Sequence, residues 1–304
     1  MVTVTRVVRR IVTSAIVLVV VATASFVLLH AAPGGPFATD ARRSPAVARA
    51  LEQRYGTGDS LASQYVSELA HLARGDLGQS LVRDESVADV IASRFPVSAL
   101  IGALALALAL ALGVASGVAA AARGGWVDRA VRAGAVLALC VPAFVAGPLL
   151  IAWLSLRLGW FPPARLDSAS AYVLPAVTLA LVYAGALARL ARAGMCDALG
   201  EDFVRTARAK GASERAVVWR HALRAGIAPA VSYVGPAAAA MLAGSFVVEK
   251  VFQVPGLGSS VVEAIAQRDY PVLTGVLVFY AALVVALDLV VDGALAWLDP
   301  RSRR

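Results

Sequence analysis

Two aspartates near the end of the chain are the residues whose placement most directly suggests chemistry. Asp288 and Asp292 lie four positions apart in an otherwise apolar stretch, so they share one face of a helix. A carboxylate in such a stretch is energetically costly and by default indicates a function. Two interpretations stay open: structural pairing with an arginine of a neighbouring loop, or a role for Asp288 in a solute pathway.

The other reactive residue types form no catalytic or metal-binding pattern. The cysteines and histidines are scattered, without the spacing of a disulfide framework or a zinc site: Cys140, Cys196, His30, His71 and His221. The glycine-containing segment Pro255–Gly258 lacks the Lys-Ser/Thr of a nucleotide-binding loop. No Walker A, H-E-x-x-H or G-x-S-x-G motif occurs. We therefore predict neither an enzyme nor a resident metal or cofactor.

Most of the chain that surrounds these residues in the sequence consists of apolar stretches. Of the 304 residues, 59% are hydrophobic and 16% charged, whereas a soluble domain has about a quarter charged residues. Six stretches approach or exceed the roughly 20 residues that cross a bilayer: Ile11–Leu29, Pro96–Ala122, Ala130–Leu156, Tyr172–Leu190, Ala228–Val248 and Val272–Leu298. A spanning segment must satisfy its own backbone groups, and none of these alternates with period two. We predict an all-α, polytopic membrane protein with six transmembrane helices.

The distribution of charge predicts the orientation of these helices. The net charge of +8 could indicate nucleic acid, but the excess of Lys and Arg falls in alternate segments along the chain. By the positive-inside rule these segments face the cytoplasm, together with both termini. The basic charge therefore indicates membrane lipid as the partner and not nucleic acid.

The polar segments divide the chain into three regions. Residues 1–30 form the N-terminus and the first transmembrane helix, whose apolar run is longer than a usual signal-peptide core. Residues 31–95 form an extracytoplasmic cap, with apolar spacing typical of short helices at Val47–Tyr55 and Ser60–Ala73. Residues 96–304 form a core of five further transmembrane helices.

The segment Arg189–Ala228 is much more polar than the spans on either side of it. One short helix is predicted from Glu201, with acids in its first turn, bases in its last, and Gly211 after its end. A second begins after Ser213, a favourable N-cap residue, and runs to about Leu223. Two short helices joined at a glycine would make a compact docking element beside the membrane.

The residues of this segment resemble the EAA loop of ATP-binding-cassette (ABC) importer permeases, in the variant of the dipeptide, oligopeptide and nickel family, first-permease type. In EDFVRTARAKGASERAVVWRHALRAGIAP, the triplet Arg205, Thr206 and Ala207 stands at the EAA position, Gly211 at its glycine and Pro229 at the closing proline. Other stretches are similar to the family in the same order along the chain: the arginine-led first span, RGDLGQSL, EKVFQVPGLG, AIAQRDYP and LDPR.

The resemblance implies a type I importer permease fold in a bacterial cell membrane, forming half of a translocation pathway for peptides or similar small solutes. The implied partners are a second homologous permease, two ATP-binding subunits and an extracytoplasmic solute-binding protein. ATP would be bound by those partners, with no cofactor in this chain. The implied coupling residues are Arg205, Thr206, Ala207, Gly211, Arg215 and His221. The implied outer-gate or binding-protein residues are Pro255, Gly256, Leu257, Gly258, Arg268, Asp269 and Tyr270. Asp288 is a candidate pathway residue because of its charge in an apolar span, with structural pairing as the alternative.

Departures from the family pattern leave the substrate open. Asp288 stands where the family usually has Asn, and Ala294 lies near a usual Tyr. Dipeptides, oligopeptides, glutathione-like compounds and metal chelates are all compatible. Two rival classes fit less well. An intramembrane enzyme would need paired polar residues on separate spans, and a stand-alone channel or carrier would need no docking loop.

Overall fold

A computed structural model describes residues 2–31, 60–83, 85–267 and 269–298. Within these ranges the chain is helical, and its only β-type pairing is an isolated bridge between Gln79 and Ser86. The α-helices are α1 (Val2–Ala31), α2 (Leu61–Ala73), α3 (Val87–Arg123), α4 (Gly125–Cys140), α5 (Ala143–Leu150), α6 (Val173–Gly200), α7 (Asp202–Ala209), α8 (Glu214–Ala216), α9 (Leu223–Gly226), α10 (Ala228–Ser232), α11 (Val234–Val251), α12 (Leu257–Gln267) and α13 (Tyr270–Leu298). Two π-helical segments, Ile151–Arg157 and Val217–Ala222, and a 3-10 turn, Ala169–Tyr172, complete the helices. The helix predicted at Val47–Tyr55 lies outside the described residues.

Apolar helices of membrane-spanning length confirm the all-α membrane class. Four described helices are long and apolar enough to cross a bilayer: Val87–Arg123, Ala169–Gly200, Glu214–Leu242 and Tyr270–Val290. A bent pair, Gly125–Cys140 with Ala143–Arg157, makes a fifth candidate, and α1 contains a shorter apolar stretch, Val12–Leu28. These elements coincide with the six predicted stretches, but only four or five of them meet the length and composition that a span requires.

The predicted third span, Ala130–Leu156, is not one straight helix. Its two halves, α4 and α5, are bent by 105° at their junction. Pro142 lies in an extended conformation at the start of α5 and has no N–H with which to continue α4. Val141, the residue before it, is also extended, with ψ 111°, as the steric demand of a following proline favours. The prediction of a single helix was wrong at this point, and Pro142 is the physical reason.

The fourth span continues about three turns beyond its predicted end at Leu190. Helix α6 reaches Gly200, and the added turns bury one face, formed by Ala191, Gly194, Met195 and Ala198. Burial of this face keeps the helix intact although Arg192 and Asp197 lie between the buried positions. The first part of the predicted loop, from Arg189 to Gly200, is therefore helix.

The described residues fold as two compact units. One comprises those of 1–97 and 255–286, and the other those of 98–254 and 287–304. Helices α3 and α13 each contribute residues to both units, because a boundary falls within each of them.

Helix α2 packs on α1 through polar and aromatic side chains. The hydroxyl oxygens of Thr23 and Tyr65 lie 2.6 Å apart, and the Tyr65 ring lies 5.4 Å from that of Phe26. Ser60 precedes α2, and its Oγ accepts a hydrogen bond from the N–H of Ser63 at 3.3 Å. The helix predicted over Ser60–Ala73 is therefore present, and it begins at a serine N-cap.

Glycines bring α3 and α6 into backbone contact. A methyl group at Gly113 would lie 2.8 Å from the carbonyl oxygen of Ala184, and one at Gly117 would lie 2.5 Å from that of Ala188. Lipid gives helices no hydrophobic reason to associate, so close backbone approach at small residues supplies the packing energy.

We predict that Gly117→Ala destabilises the folded protein, although alanine is the better helix former. The neighbouring backbone atoms cannot rotate away from the added methyl group, and overpacking of this kind costs about 1–3 kcal/mol. The measurement is the thermal unfolding midpoint in detergent. Gly134→Ala is the matched control, since nothing lies within 4 Å of the position its methyl group would take. Equal midpoints for the two variants would contradict the prediction.

Candidate functional site

Helix α7 and the glycine after it form the first half of the predicted docking element. Asp202 lies in the first turn of α7 and Arg208 in its last, which complements the helix dipole. Gly211 has φ +84°, and its N–H donates to the carbonyl oxygen of Arg208 at 2.9 Å, while the N–H of Ala212 donates to that of Ala207 at 3.1 Å. This pair of bonds is a Schellman motif, which needs a left-handed residue, and glycine adopts that conformation without steric cost. The helix therefore ends at the glycine predicted from the sequence.

Ser213 begins the second half of the element. Its Oγ accepts a hydrogen bond from the N–H of Ala216 at 3.4 Å, in the manner of an N-cap. The guanidinium of Arg208 donates to both carboxylate oxygens of Glu214, at 2.8 and 3.1 Å. From Val217 the chain continues as a π-helix and then as α9. The sequence did not predict this change of helix type, which is often found at functional sites.

Apolar side chains attach this helix pair, residues 202–226, to the ends of α3 and α6. We call the pair the knob. Val204 and Val217 are fully buried, and they share one hydrophobic core with Val118 of α3 and Met195 of α6. Burying a valine side chain contributes roughly 1.5–3 kcal/mol. The knob is therefore packed onto the membrane helices and does not hang from a linker.

The outer side of the knob is polar but carries two exposed aromatic rings. Phe203 is 44% exposed and Trp219 58%, and a shallow hollow is lined by Ser213, Arg215, Ala216 and Trp219. The predicted coupling residues on this exposed side are Arg205, Thr206, Gly211, Arg215 and His221. Ala207 differs from them, because it is buried in the core of the knob. Exposed aromatic and arginine side chains are the types that most often anchor protein interfaces.

The predicted outer loop turns at Pro255–Gly258 and enters α12. The last three residues of this turn are buried, and the Oγ of Ser259 donates to the carbonyl oxygen of Gly256 at 2.7 Å. Tyr270, also buried, is the first residue of α13. Arg268 lies outside the described residues.

Asp269 joins the outer loop to the turn formed by residues 74–81. Its side chain is almost fully buried, and its carboxylate accepts hydrogen bonds from the Oγ of Ser80 and from the N–H of Leu81, the latter at 3.0 Å. Within the turn, the N–H of Gly78 donates to Oδ1 of Asp76 at 2.9 Å. The two sequence signatures RGDLGQSL and AIAQRDYP thus meet in space.

The structure describes the side chain of only one of the two aspartates in the last span. Asp288 is exposed on α13, and its carboxylate makes no ion pair with any residue in the described ranges. Asp292 lies within α13, but its side chain is not among those that the structure describes. No loop arginine in the described ranges is paired with Asp288.

An ion pair that the sequence did not predict connects α4 to α6. The guanidinium of Arg192 donates to both carboxylate oxygens of Asp128, and Nε of Arg132 lies 3.2 Å from the same carboxylate. Asp128 and Arg192 are separated by 64 positions, so no local pattern links them. The only sequence signal is that Asp128 lies in the first turn of α4, where an acid is favourable.

The fold and these surfaces define an integral-membrane protein with an exposed knob that is packed onto its apolar helices and is suited to contact another protein. A model of the family of binding-protein-dependent transport system inner membrane components matches residues 92–304. The chain belongs to this family, and it is a transmembrane permease subunit of an ABC importer.

Similarity to individual relatives extends over nearly the whole chain. It is 38% identical over 288 residues to the dipeptide transport system permease protein DppB of Bacillus subtilis, covering 94% of each chain. It is 36% identical over 291 residues to the oligopeptide transport system permease protein OppB of Salmonella typhimurium, covering 94% of this chain and 95% of that one. It is 37% identical over 289 residues to the glutathione transport system permease protein GsiC of Escherichia coli, covering 94% of each.

We predict that Asp128→Asn lowers the thermal unfolding midpoint of the protein. The amide keeps the shape of the carboxylate but leaves the guanidinium of Arg192 without its charge partner. Asp197→Asn is the matched control, because Asp197 is exposed on α6 and forms no ion pair with any described residue. A midpoint unchanged by Asp128→Asn relative to this control would show that the pair does not stabilise the contact between α4 and α6.

Proposed function

We propose that the chain forms half of the translocation pathway of an importer for peptides or similar small solutes, and that it responds to ATPase subunits through the knob. The observation that carries this proposal is the two-sided construction of the knob. Its inner side shares a hydrophobic core with α3 and α6, while its outer side exposes two aromatic rings and several arginines. A force applied to the outer side would therefore reach the membrane helices.

The proposed partners follow from this role. Two ATP-binding subunits would supply the energy, one of them gripping the knob of this chain and the other that of a second, homologous permease. An extracytoplasmic solute-binding protein would deliver the solute, in keeping with the binding-protein-dependent family. ATP would be bound by the partners, so that this chain needs no cofactor and performs no catalysis.

The proposed substrate class rests on the relatives. Those named above are described as permeases for dipeptides, oligopeptides and glutathione, and all of these are peptides or peptide-like. Each is similar to this chain over more than nine-tenths of both lengths, so a peptide or similar small solute is the simplest common inference.

On the knob, we assign contact with the ATPase to Arg205, Thr206, Arg215 and His221, whose side chains are exposed. Gly211 and Ala207 would act differently, Gly211 by ending α7 and Ala207 by packing inside the core. In the last span, we assign Asp288 to the pathway. Its exposure on α13 and the lack of an ion pair with the described arginines favour this role over structural pairing.

We assign the outer loop, which follows α11, to the outer gate and to contact with the binding protein. Its residues are Pro255, Gly256, Leu257, Gly258, Arg268, Asp269 and Tyr270. The knob would then face the cytoplasm, as would both termini, in a bacterial inner membrane.

We predict that single cysteines at Ser60 and Ser213 label from opposite sides of the membrane. Both serines are exposed, and the background would carry serine in place of Cys140 and Cys196. A membrane-impermeant maleimide should label Ser60→Cys in intact cells, and should label Ser213→Cys only in inside-out vesicles. Labelling of both from the outside would overturn the proposed orientation.

The function itself is tested at Gly211, where we predict that Gly211→Val strongly reduces transport without loss of the complex. Nothing lies within 4 Å of the position a side chain would take, so the substitution acts only through the backbone. A branched residue in the left-handed conformation costs about 1–2 kcal/mol, equivalent to a five- to thirtyfold change in population, and uptake of labelled di- and tripeptides should fall by about that factor.

Gly211→Asn is the matched control, because asparagine tolerates the left-handed conformation. It should retain most of the uptake, at equal amounts of assembled complex. Uptake by Gly211→Val equal to that of the parent would mean that the knob does not couple ATP hydrolysis to the pathway.

A further inference from the structure

Polar side chains attach the short helix α12 to the segment before α3 and to the first turns of α3 itself. Helix α12 contains 11 residues, fewer than an isolated helix needs for stability in water. Its buried face is formed by small or medium side chains: Leu257, Gly258, Ser259, Ser260, Val261 and Ala264. Its opposite side ends in Ile265, Ala266 and Gln267, which are exposed.

A cluster of three charges fixes the middle of α12. One carboxylate oxygen of Glu263 lies 2.6 Å from the guanidinium of Arg83 and 3.3 Å from that of Arg94. Arg94 also donates to the Oγ of Ser260, one turn earlier on α12, at 2.8 Å. We call Arg83, Arg94 and Glu263 the outer lock.

The buried carboxylate of Asp269 fixes the other end, just after α12. It is hydrogen-bonded to Ser80 and Leu81, so α12 is attached to residues 80–94 at two points. Two separate attachments restrain both the position and the rotation of a helix, whereas one would leave it free to pivot.

The charges of the outer lock are only partly accessible to water. The side chains of Arg83, Arg94 and Glu263 are 27%, 23% and 31% exposed. Isolated, fully exposed ion pairs contribute little to stability, but networks of partly covered charges contribute more. Because one carboxylate serves two guanidinium groups, its loss would leave two like charges facing each other.

Glu263 remains ionised at neutral pH. Burial raises the pKa of its carboxyl, whereas the hydrogen bonds and charges of Arg83 and Arg94 lower it, and the balance leaves this pKa below its usual value. The stabilisation by a carboxylate with a lowered pKa is present at neutral pH and is lost only as the pH falls through that lowered value. Among the described residues, Glu85 is a further acid beside the lock, with its carboxylate 3.7 Å from Arg83.

We propose that Glu263 is a positioning residue for the solute-binding protein: by holding α12 between Arg83 and Arg94, it presents the exposed end of α12 in one orientation. This inference rests on the proposed function, in which the outer loop contacts the binding protein. The occupant of the surface is the solute-binding protein on which the family depends. Docking onto a helix that is already fixed costs less ordering entropy than docking onto a mobile one.

The test uses the whole complex, co-purified with its partner subunits and reconstituted in lipid nanodiscs. ATPase activity is measured as a function of the concentration of its binding protein, preincubated with a casein peptide digest. For Glu263→Gln we expect the half-saturating concentration of binding protein to rise about fivefold or more, as expected for loss of an ion pair worth about 1 kcal/mol. Basal activity and the maximal stimulated rate should stay within about twofold of the parent, because the ion pairs of Glu263 join α12 to Arg83 and Arg94, whereas the knob is built on a separate core shared with α3 and α6.

Glu85→Gln is the matched control. It removes the same charge beside Arg83, but at 3.7 Å and on a residue outside α12. A double-mutant cycle then separates the ion pair from unrelated effects of each substitution. Arg83→Gln alone should act in the same direction as Glu263→Gln, and the double variant should be clearly less impaired than the product of the two single effects.

Three outcomes would overturn this inference. The first is equal half-saturating concentrations for Glu263→Gln and Glu85→Gln, and the second is effects of Arg83→Gln and Glu263→Gln that simply multiply. The third is loss of the assembled complex in both single variants, which would make the pair a folding element. If the unmodified complex itself is not stimulated by the loaded binding protein, the proposed function or its peptide substrate fails instead, which is a distinct result.

Discussion

Close approach of backbones along α6 is the constraint on which the second compact unit depends. At neighbouring positions of α6, Gly185 lies against Ala135 of α4, and Ala184 lies against Gly113 of α3. One turn further, Gly117 lies against Ala188, and near the end of α6 Gly194 meets Gly226 of α9. Three helices therefore touch α6 at successive levels through residues that have no side chain to separate them. Because packing is the main attraction between helices in lipid, these close contacts act together with the apolar core of the unit.

Because of this arrangement, α6 is the element that connects the knob to α3 and α4. Gly226, at the end of the knob, packs directly on Met195 of α6, and the apolar core of the knob includes Met195 and Ala198. Packed interiors deform little, so displacement of the knob displaces the end of α6 with it. The ion pair between Arg192 and Asp128 then ties the same part of α6 to α4. The proposed coupling to ATP thus needs no pathway other than contiguous packing.

Local signals in the sequence predicted most of the helices, but they could not predict which distant residues come into contact. Gly211 and Ser213 were assigned correctly because a helix end is determined by a few neighbouring residues. The break at Pro142 was missed because apolar composition continues across it, and the extension of α6 was missed because its polar residues hide a buried face. Arg192 with Asp128, and Glu263 with Arg83, are pairs separated by 64 and 180 positions, and no periodic pattern connects residues so far apart.

The described ion pairs fall into two groups, those between residues close together in the chain and those between distant segments. Arg208 and Glu214 are six positions apart and are well exposed, so their pairing shapes a turn that the Schellman motif and the Ser213 cap already define. The pairs that bridge distant segments are less exposed, and each adds a directional contact to the packing between the elements that it joins. Charge is costly to remove from water, and it is retained here where a helix must be held in one orientation. In a chain with 16% charged residues, long-range pairs of this kind therefore fix the relative placement of helices that are far apart in the sequence.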